Sequence, residues 1–205
     1  MRVGAFLVVL SLGSSPALAE PGKRGMVTQW FAGVATESVN FATTTGADAS
    51  YKTSSVGGGA MIKFSTDRQY GLGLKGAFYS RKGNNTANGE VNTSGVREEE
   101  SLKASIFDVG VRFYALDVFI GMGVTYMPVT IGYTTSSQTV PTETKYSSFG
   151  ASIELGIDLF LGESAPLFIT PKIEFRTGSA STSEGTARSH RISGFGAGLG
   201  MGLAF

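Results

Sequence analysis

The sequence predicts an all-β fold, an eight-stranded antiparallel up-and-down transmembrane β-barrel with short turns at one end and four longer loops at the other. Its last strand alternates strictly between apolar residues and glycine. After residue 19, no run is apolar for long enough to form a membrane helix, and a membrane protein without such helices must be a closed sheet. The predicted strands are joined alternately by short turns and long polar segments.

The last strand, residues 190–205, carries the strongest signal. Every even position from Gly194 to Gly202 is glycine. The odd positions are apolar: Phe195, Ala197, Leu199, Met201, Leu203 and Phe205. A period of two gives the strand two unlike faces, one suited to an apolar medium and one to a crowded interior. At about 3.3 Å per residue and a tilt near 40°, these eleven residues climb on the order of 27 Å, close to the roughly 25 Å apolar band of a transmembrane barrel.

This ending resembles the C-terminal signature of bacterial outer-membrane β-barrels, an alternating last strand closed by a terminal Phe. The resemblance implies that the barrel-assembly machinery reads this strand as an insertion signal, carried by Phe195, Leu199, Met201, Leu203 and Phe205. In length, strand count and terminal strand, the chain is similar to the small OmpA/OmpX/OmpW-like barrels. That similarity implies a Gram-negative outer-membrane location, periplasmic turns, extracellular loops, and contact with outer-membrane lipid and lipopolysaccharide.

Residues 1–19 have the features of a secretory signal peptide. Arg2 supplies a basic start, residues 5–12 are apolar except for Ser11, and residues 17–19 (ALA) form a small-x-small cleavage site. The apolar run is too short for a membrane helix. We therefore expect cleavage after Ala19 and one barrel domain over residues 20–205.

The composition agrees with an exported barrel and narrows the function classes. The chain has no Cys, which excludes disulfides and thiolate metal sites. Glycine accounts for 29 of 205 residues, about twice the usual share of roughly 7%. Because Arg2 is the one charged residue before Glu20, removing residues 1–19 leaves 16 basic and 16 acidic residues. This neutral balance gives no support for nucleic-acid binding.

Period-two alternation places eight strands along the chain. Their approximate ranges are 27–36, 56–65, 70–79, 102–114, 118–133, 148–161, 167–177 and 190–205. Short turns are expected at 66–69, 115–117 and 162–166, and long loops at 37–54, 81–99, 134–145 and 178–189. This arrangement leaves both ends of the barrel domain on the short-turn side.

Three positions depart from the regular pattern. The alternation in the fourth strand changes parity before Phe107, which predicts a β-bulge near Ser105. Pro128 must remove one ladder hydrogen bond, and Pro171 calls for a bulge or a local fray because a barrel has no free edge.

Outward-facing aromatic residues are expected in two girdles, one at each membrane interface. The set near the loops is Phe78, Phe107, Tyr126, Phe149, Phe175 and Phe195. The set near the turns is Trp30, Phe64, Tyr70, Phe113 and Phe205. The alternative is that aromatic residues merely scatter along the apolar faces.

The predicted interior is charged. The inward positions include Lys63, Lys75, Asp108, Arg112, Glu154, Asp158, Lys172, Glu174 and Arg176. Charges of both signs are costly in lipid but can pair inside the barrel. An eight-stranded barrel is just wide enough to be filled by side chains, so we expect a plugged interior in which strand glycines make room for long charged side chains. A narrow polar pore for passive solute transport is the alternative.

The sequence predicts a non-enzymatic protein with a structural or surface-interaction role, and no cofactor. Some small outer-membrane barrels modify lipid A with a His and a Ser at the outer rim. Here His190 has Ser189 and Ser193 beside it, but a regular strand points His190 and Ser193 to opposite faces, and we expect His190 to be a solvated rim residue. No metal or nucleotide motif is evident. A soluble lipocalin-like barrel would need an apolar interior, which the predicted inner face lacks. The sequence names no extracellular ligand.

Overall fold

A computed structural model of the chain describes residues 25–42, 48–65, 70–87, 98–135, 142–161, 167–182 and 189–205. The predicted signal peptide and the turns predicted at 66–69 and 162–166 lie outside these residues. The strands are β1 (Gly25–Ala42), β2 (Asp48–Ser65), β3 (Tyr70–Asn85), β4 (Glu98–Ala115), β5 (Val118–Thr135), β6 (Thr142–Ile157), β7 (Leu159–Phe160), β8 (Leu167–Thr182) and β9 (Ser189–Ala204).

The strands form one closed antiparallel sheet. From β1 to β6 each strand pairs with the next, β6 and β7 both pair with β8, β8 pairs with β9, and β9 returns to pair with β1. The backbones of Thr28 and Phe205 exchange two hydrogen bonds, of 2.9 and 2.8 Å, at the seam. The two-residue β7 continues the line of β6 beyond Asp158 along the same partner, β8, so the ring has eight strand positions. The predicted eight-stranded up-and-down barrel is confirmed.

The pairing register fixes the stagger of the barrel. Following each residue to its partner on the next strand, once around the ring, leads from Gln29 back to β1 at Val39, ten residues nearer the loops. The residues on this path are Gln29, Met61, Lys75, Gly110, Gly123, Ser152, Arg176, Gly194 and Val39. Strand number and stagger together imply a strand tilt of about 40° and a radius that side chains can fill.

The outer wall is apolar around its middle. Val34, Val56, Val109, Val124 and Phe149 are each 60–67% exposed. A soluble protein does not expose a continuous apolar belt, whereas a bilayer requires one. Neighbouring rings at the loop end make contact across strands, with centroids 5.0 Å apart for Phe78 and Phe107 and 4.7 Å apart for Tyr126 and Phe149. The described residues contain no helix able to cross a membrane.

The strands extend well beyond the lengths predicted from the sequence. Residues 37–42, 48–54, 81–85, 98–101, 142–147 and 178–182, predicted as loop wholly or in part, are strand. Their Ser, Thr, Asn and Gly content is typical of loops, yet their backbones complete ladders that the neighbouring strands begin. The segments between strands at the loop end are therefore 43–47, 86–97, 136–141 and 183–188.

The bulge predicted near Ser105 is wrong. Ala104 pairs with Val129 and Phe107 with Tyr126 in the same register, so β4 has no inserted residue. The change of parity has another cause, because Leu102, Ala104 and Ile106 are buried inside the barrel.

Both prolines are accommodated without a change in register. The β4–β5 pairing has a gap opposite Pro128, while Pro128 still pairs with Ser147 of β6. The register with β8 is the same on both sides of the break at Ile157 and Asp158, which lie opposite Pro171 and Thr170. Proline lacks the N–H that a ladder needs, so each of these breaks is a local loss of pairing.

Candidate functional site: the charged barrel interior

Glu154 of β6 is the centre of a buried ion-pair network. Its Oε1 lies 2.8 Å from Lys75 Nζ and 2.6 Å from Arg112 Nε, and its Oε2 lies 3.0 Å from Lys172 Nζ. These cations come from β3, β4 and β8, so one carboxylate ties four strands together. Lys75 also pairs with Asp108 at 2.7 Å. Closure of the barrel brings these residues together, although they are distant in sequence.

The network continues along β8 to β1. Glu174 pairs with Lys172 at 3.0 Å and with Arg176 at 2.5 Å. Arg176 Nη1 lies 3.1 Å from Glu37 Oε2, and Arg81 pairs with the same oxygen. The path is continuous from Asp108 to Arg81. Charges paired in this way carry much less of the desolvation penalty that isolated buried ions would carry.

Glu37 and Arg81 were missed by the sequence prediction. Both lie in segments predicted as loops, and both side chains are buried, with 4% and 2% exposure. The missed signal was parity. Glu37 continues the inward series of Gln29 and Phe31, and Arg81 continues the inward series of Lys75 and Tyr79. Extending each alternation by two residues would have predicted both side chains inside the barrel.

Two predicted interior charges lie apart from this network, nearer the turns. Asp158 accepts hydrogen bonds from Tyr114 Oη at 3.0 Å and Thr170 Oγ1 at 2.7 Å. Lys63 Nζ lies 3.8 Å from the centre of the Tyr114 ring, a cation–π contact. At this level Met61, Tyr114 and Phe119 form a small buried apolar cluster against Phe31.

Glycines make space for the charged side chains. A Cβ at Gly121 of β5 would lie 2.6 Å from Glu154 Cγ, and one at Gly123 would lie 2.8 Å from Asp108 Oδ1. On the glycine face of β9, a Cβ at Gly196 would lie 2.8 Å from Glu37 Cβ. The glycine positions of these strands therefore set the room available to the network.

The interior at the loop end contains a large apolar cluster, which the alternation pattern did not predict. Eleven buried residues from seven strands form one cluster there: Val39, Phe41, Tyr51, Tyr79, Leu102, Ala104, Ile106, Met127, Val129, Ala180 and Ile192. Leu102 and Ile106 are at most 2% exposed. Above the ion pairs, the barrel is therefore closed by packed side chains.

His190 belongs to this closed end, and the expectation of a solvated rim residue is wrong. It is 6% exposed, and its ring centre lies 5.1 Å from that of Phe41 and 5.4 Å from that of Tyr146. Ser193 lies on the opposite face of β9, as alternation requires. The side chain of Ser189 lies outside the described residues.

A small cavity adjoins the ion pairs. It is bounded by Phe31, Arg112, Lys172, Glu174 and Arg176, among others, and has a volume of about 30 Å³. A space of this size holds about one water molecule. Among the described residues, no group of three His, Asp or Glu side chains has the arrangement of a metal site.

Four of the five residues of the predicted insertion signal lie on the outer wall of β9, and Phe205 follows directly after it. Phe195, Leu199, Met201 and Leu203 are 41–60% exposed and face away from the barrel, while Phe205 is half-buried beside β1. Their placement follows the alternation in the sequence.

The sequence matches no protein-family model and no curated protein. Solved structures share its fold. The outer membrane protein OprG from Pseudomonas aeruginosa has a TM-score of 0.50 at 14% identity, over 89% of this chain and 97% of that one. Ail, the attachment invasion locus protein of Yersinia pestis, in complex with the heparin analogue sucrose octasulfate, has 0.49 at 11%, over 89% and 100%. Neisserial surface protein A has 0.47 at 10%, over 83% and 95%.

The closed ring and the OprG match together define the class. The chain has the fold of the small eight-stranded outer-membrane β-barrels, as its last strand indicated. At 14% identity the match establishes the fold alone, and one barrel fold hosts many activities.

Proposed function

We propose that the protein is a non-enzymatic barrel of the Gram-negative outer membrane, with a filled interior and a structural or surface-interaction role. The observation that carries this proposal is the continuity of the packed interior. From the turn end to the loop end, the interior holds the small apolar cluster of Met61, Tyr114 and Phe119, then the ion-pair network, then the larger apolar cluster at the loop end. This sequence of layers favours a scaffold over a passage for solutes.

The porin-like alternative requires water to cross all three layers. The charges that would line a polar path are bound to one another, and the loop-end cluster is apolar. A channel would need at least Tyr79, Leu102 and Ile106 to move out of the lumen, together with the residues packed on them. Static packing therefore supports the scaffold.

The lipid A-modifying alternative has less support. An acyl-transfer site needs a base within reach of a nucleophile and of its substrate. His190 is packed between Phe41 and Tyr146 inside the barrel, whereas a membrane lipid would approach from outside. The geometry supports a packing role for His190, and we assign the protein no enzymatic activity.

The proposed partners are outer-membrane lipid, lipopolysaccharide and the barrel-assembly machinery, with no nucleic acid among them. The exposed apolar wall supports contact with lipid, and the outward side chains of β9 support recognition by the assembly machinery. In this orientation the turns and both ends of the barrel domain face the periplasm, and the segments 43–47, 86–97, 136–141 and 183–188 face the exterior.

The location is tested by expressing the full chain in a Gram-negative host with an epitope inserted after Thr93. We expect the protein in the outer-membrane fraction of a density gradient, shortened by cleavage after Ala19, with the epitope accessible to antibody on intact cells. The matched control carries the epitope between Thr66 and Asp67 and should bind antibody only after the envelope is opened. Recovery in a soluble fraction, or surface labelling of the control alone, would refute the proposed placement.

A further inference from the structure

Three lysines form a cationic cluster on the outer wall at the loop end. Lys52 of β2, Lys82 of β3 and Lys103 of β4 all face away from the barrel and are exposed. Lys82 lies directly opposite Lys103, and Lys52 lies diagonally across from Lys82, next to its partner Asn84. Like charges at directly opposed positions destabilise a sheet, so this arrangement favours an anion between them.

The cluster lies just beyond the apolar belt. On β3, Phe78 faces outward four residues nearer the turns than Lys82, and on β4 Phe107 has the same relation to Lys103. Those aromatic rings are in contact at the membrane interface, 5.0 Å apart. The lysine ammonium groups therefore reach the depth at which lipid phosphates lie.

A groove runs down the wall from these lysines. Its upper part, about 850 Å³, is lined by Lys52, Lys82 and Lys103 together with the small outward side chains of Thr36, Ser38, Ser54 and Ala197. Its lower part, about 640 Å³, shares Thr36, Ser54, Lys82 and Ala197 and is bounded by Val34, Val56 and Leu199. The three lysines meet in the upper part, beside Phe195, whereas Val34, Val56 and Leu199 line the lower part alone.

The charge of the cluster is poorly balanced within the described part of the chain. Among the described residues, the cluster forms one ion pair, between Lys103 Nζ and Glu143 Oε1 at 4.0 Å, and both side chains are about half exposed or more. A pair of this kind is weak. Lysine ammonium groups and the nearby Asn84 and Ser38 side chains are suitable donors to phosphate oxygens.

We propose that this groove is a binding site for a phosphate-bearing lipid of the outer leaflet, with the phosphate on Lys52, Lys82 and Lys103 and an acyl chain along Val34, Val56 and Leu199. The site rests on the proposed membrane placement, because only a bilayer would present such a lipid at this depth. Charge complementarity selects the phosphate, and continuity with the apolar wall selects a lipid over a soluble anion.

The test is native mass spectrometry of the refolded protein in mild detergent, titrated with bisphosphorylated lipid A. Two charge-neutralising substitutions, Lys82→Gln with Lys103→Gln, should weaken binding roughly 10- to 30-fold, since each lysine near a membrane surface contributes about 1 kcal/mol. The matched control, Lys145→Gln with Arg191→Gln, removes the same charge from exposed outward positions beyond the groove and should change the apparent Kd by less than about twofold. Equal losses in both double variants, or no loss in either, would overturn the site.

Two further measurements identify the occupant. Dephosphorylated lipid A should bind about as weakly as the lysine variant, and Ala197→Phe, which fills the groove from the lipid-facing side, should weaken binding of the lipid. Displacement of lipid A by millimolar inorganic phosphate, or unchanged binding by Ala197→Phe, would overturn the lipid assignment. A barrel that folds and inserts but fails these tests leaves the proposed scaffold role standing, so the two failures are distinguishable.

Discussion

Glu154 is the residue on which the interior depends most. Its carboxylate accepts charge-assisted hydrogen bonds from Lys75, Arg112 and Lys172, and its side chain is 2% exposed. Without this carboxylate, Arg112 would lose its carboxylate partner, while Lys75 and Lys172 would keep only Asp108 and Glu174. Breaking a buried ionic cluster in this way costs far more than the cluster contributes when intact.

Neutralising Glu154 should therefore destabilise the barrel. We expect Glu154→Gln to lower the free energy of unfolding by about 3–5 kcal/mol, because three buried cations lose their shared partner. The measurement is urea unfolding in lipid vesicles, followed by tryptophan fluorescence of Trp30. Glu143→Gln, which removes the exposed pair with Lys103, is the control and should change stability by no more than about 0.5 kcal/mol. Similar effects from both variants would show that the network is not a coupled unit.

Strand alternation predicted the inward positions of most interior charges, but it did not predict every residue that surrounds them. Parity placed Lys75, Asp108 and Glu154 inside, because a strand of period two leaves no other choice. Glu37 and Arg81 were lost because loop-like neighbours masked their parity. The burial of His190 could not be read from the sequence, since it depends on Phe41 and Tyr146, which come from other strands.

The behaviour of β4 shows how a strand can be misread. If the interior were polar throughout, the apolar residues Leu102, Ala104 and Ile106 would have to face lipid, and a bulge would be needed. In the structure they face inward and seal the loop end. Alternation identifies the two faces of a strand. The polarity of the inward face changes along the barrel axis, however, and the sequence of a single strand does not show where that change occurs.

Cysteine accessibility tests the regular register of β4, and the chain has no Cys to interfere. In the folded protein, Lys103→Cys should react fully with a small maleimide, whereas Ala104→Cys should stay largely unmodified because residue 104 is inside the barrel. Both variants unfolded in urea give the reference for full labelling. Rapid labelling of the folded Ala104→Cys variant would restore the bulge near Ser105 that the structure excludes.

The last strand, β9, has the clearest alternation in the sequence and also closes the barrel by pairing with β1. Phe205 hydrogen-bonds through its backbone to Thr28 of β1, so truncating its side chain leaves the closing pair intact. If the assembly machinery reads the terminal aromatic ring, Phe205→Ala should slow insertion into proteoliposomes containing that machinery by several fold. Met26→Ala, an exposed apolar residue near the same end, is the control and should insert at the normal rate. Equal rates for both would argue against Phe205 as a signal.

For the molecule as a whole, the central feature is the order of its interior layers. Strand count and stagger set the width, glycines on β5 and β9 make room for ion pairs, and apolar side chains close the end nearest the loops. Alternation and turn spacing predicted the ring itself. The order of the layers depends on the pairing register of the strands, which the sequence pattern does not give. That register brings residues as distant in sequence as Glu37 and Arg176 into contact.

The measurement that tests the filled barrel most directly is single-channel conductance of the refolded protein in a planar bilayer. The layered interior predicts a silent membrane, with circular dichroism confirming that the inserted protein is folded β-sheet. Discrete and reproducible current steps, shifted in size by Arg112→Gln or Glu154→Gln, would contradict the filled interior and establish a polar path through the barrel.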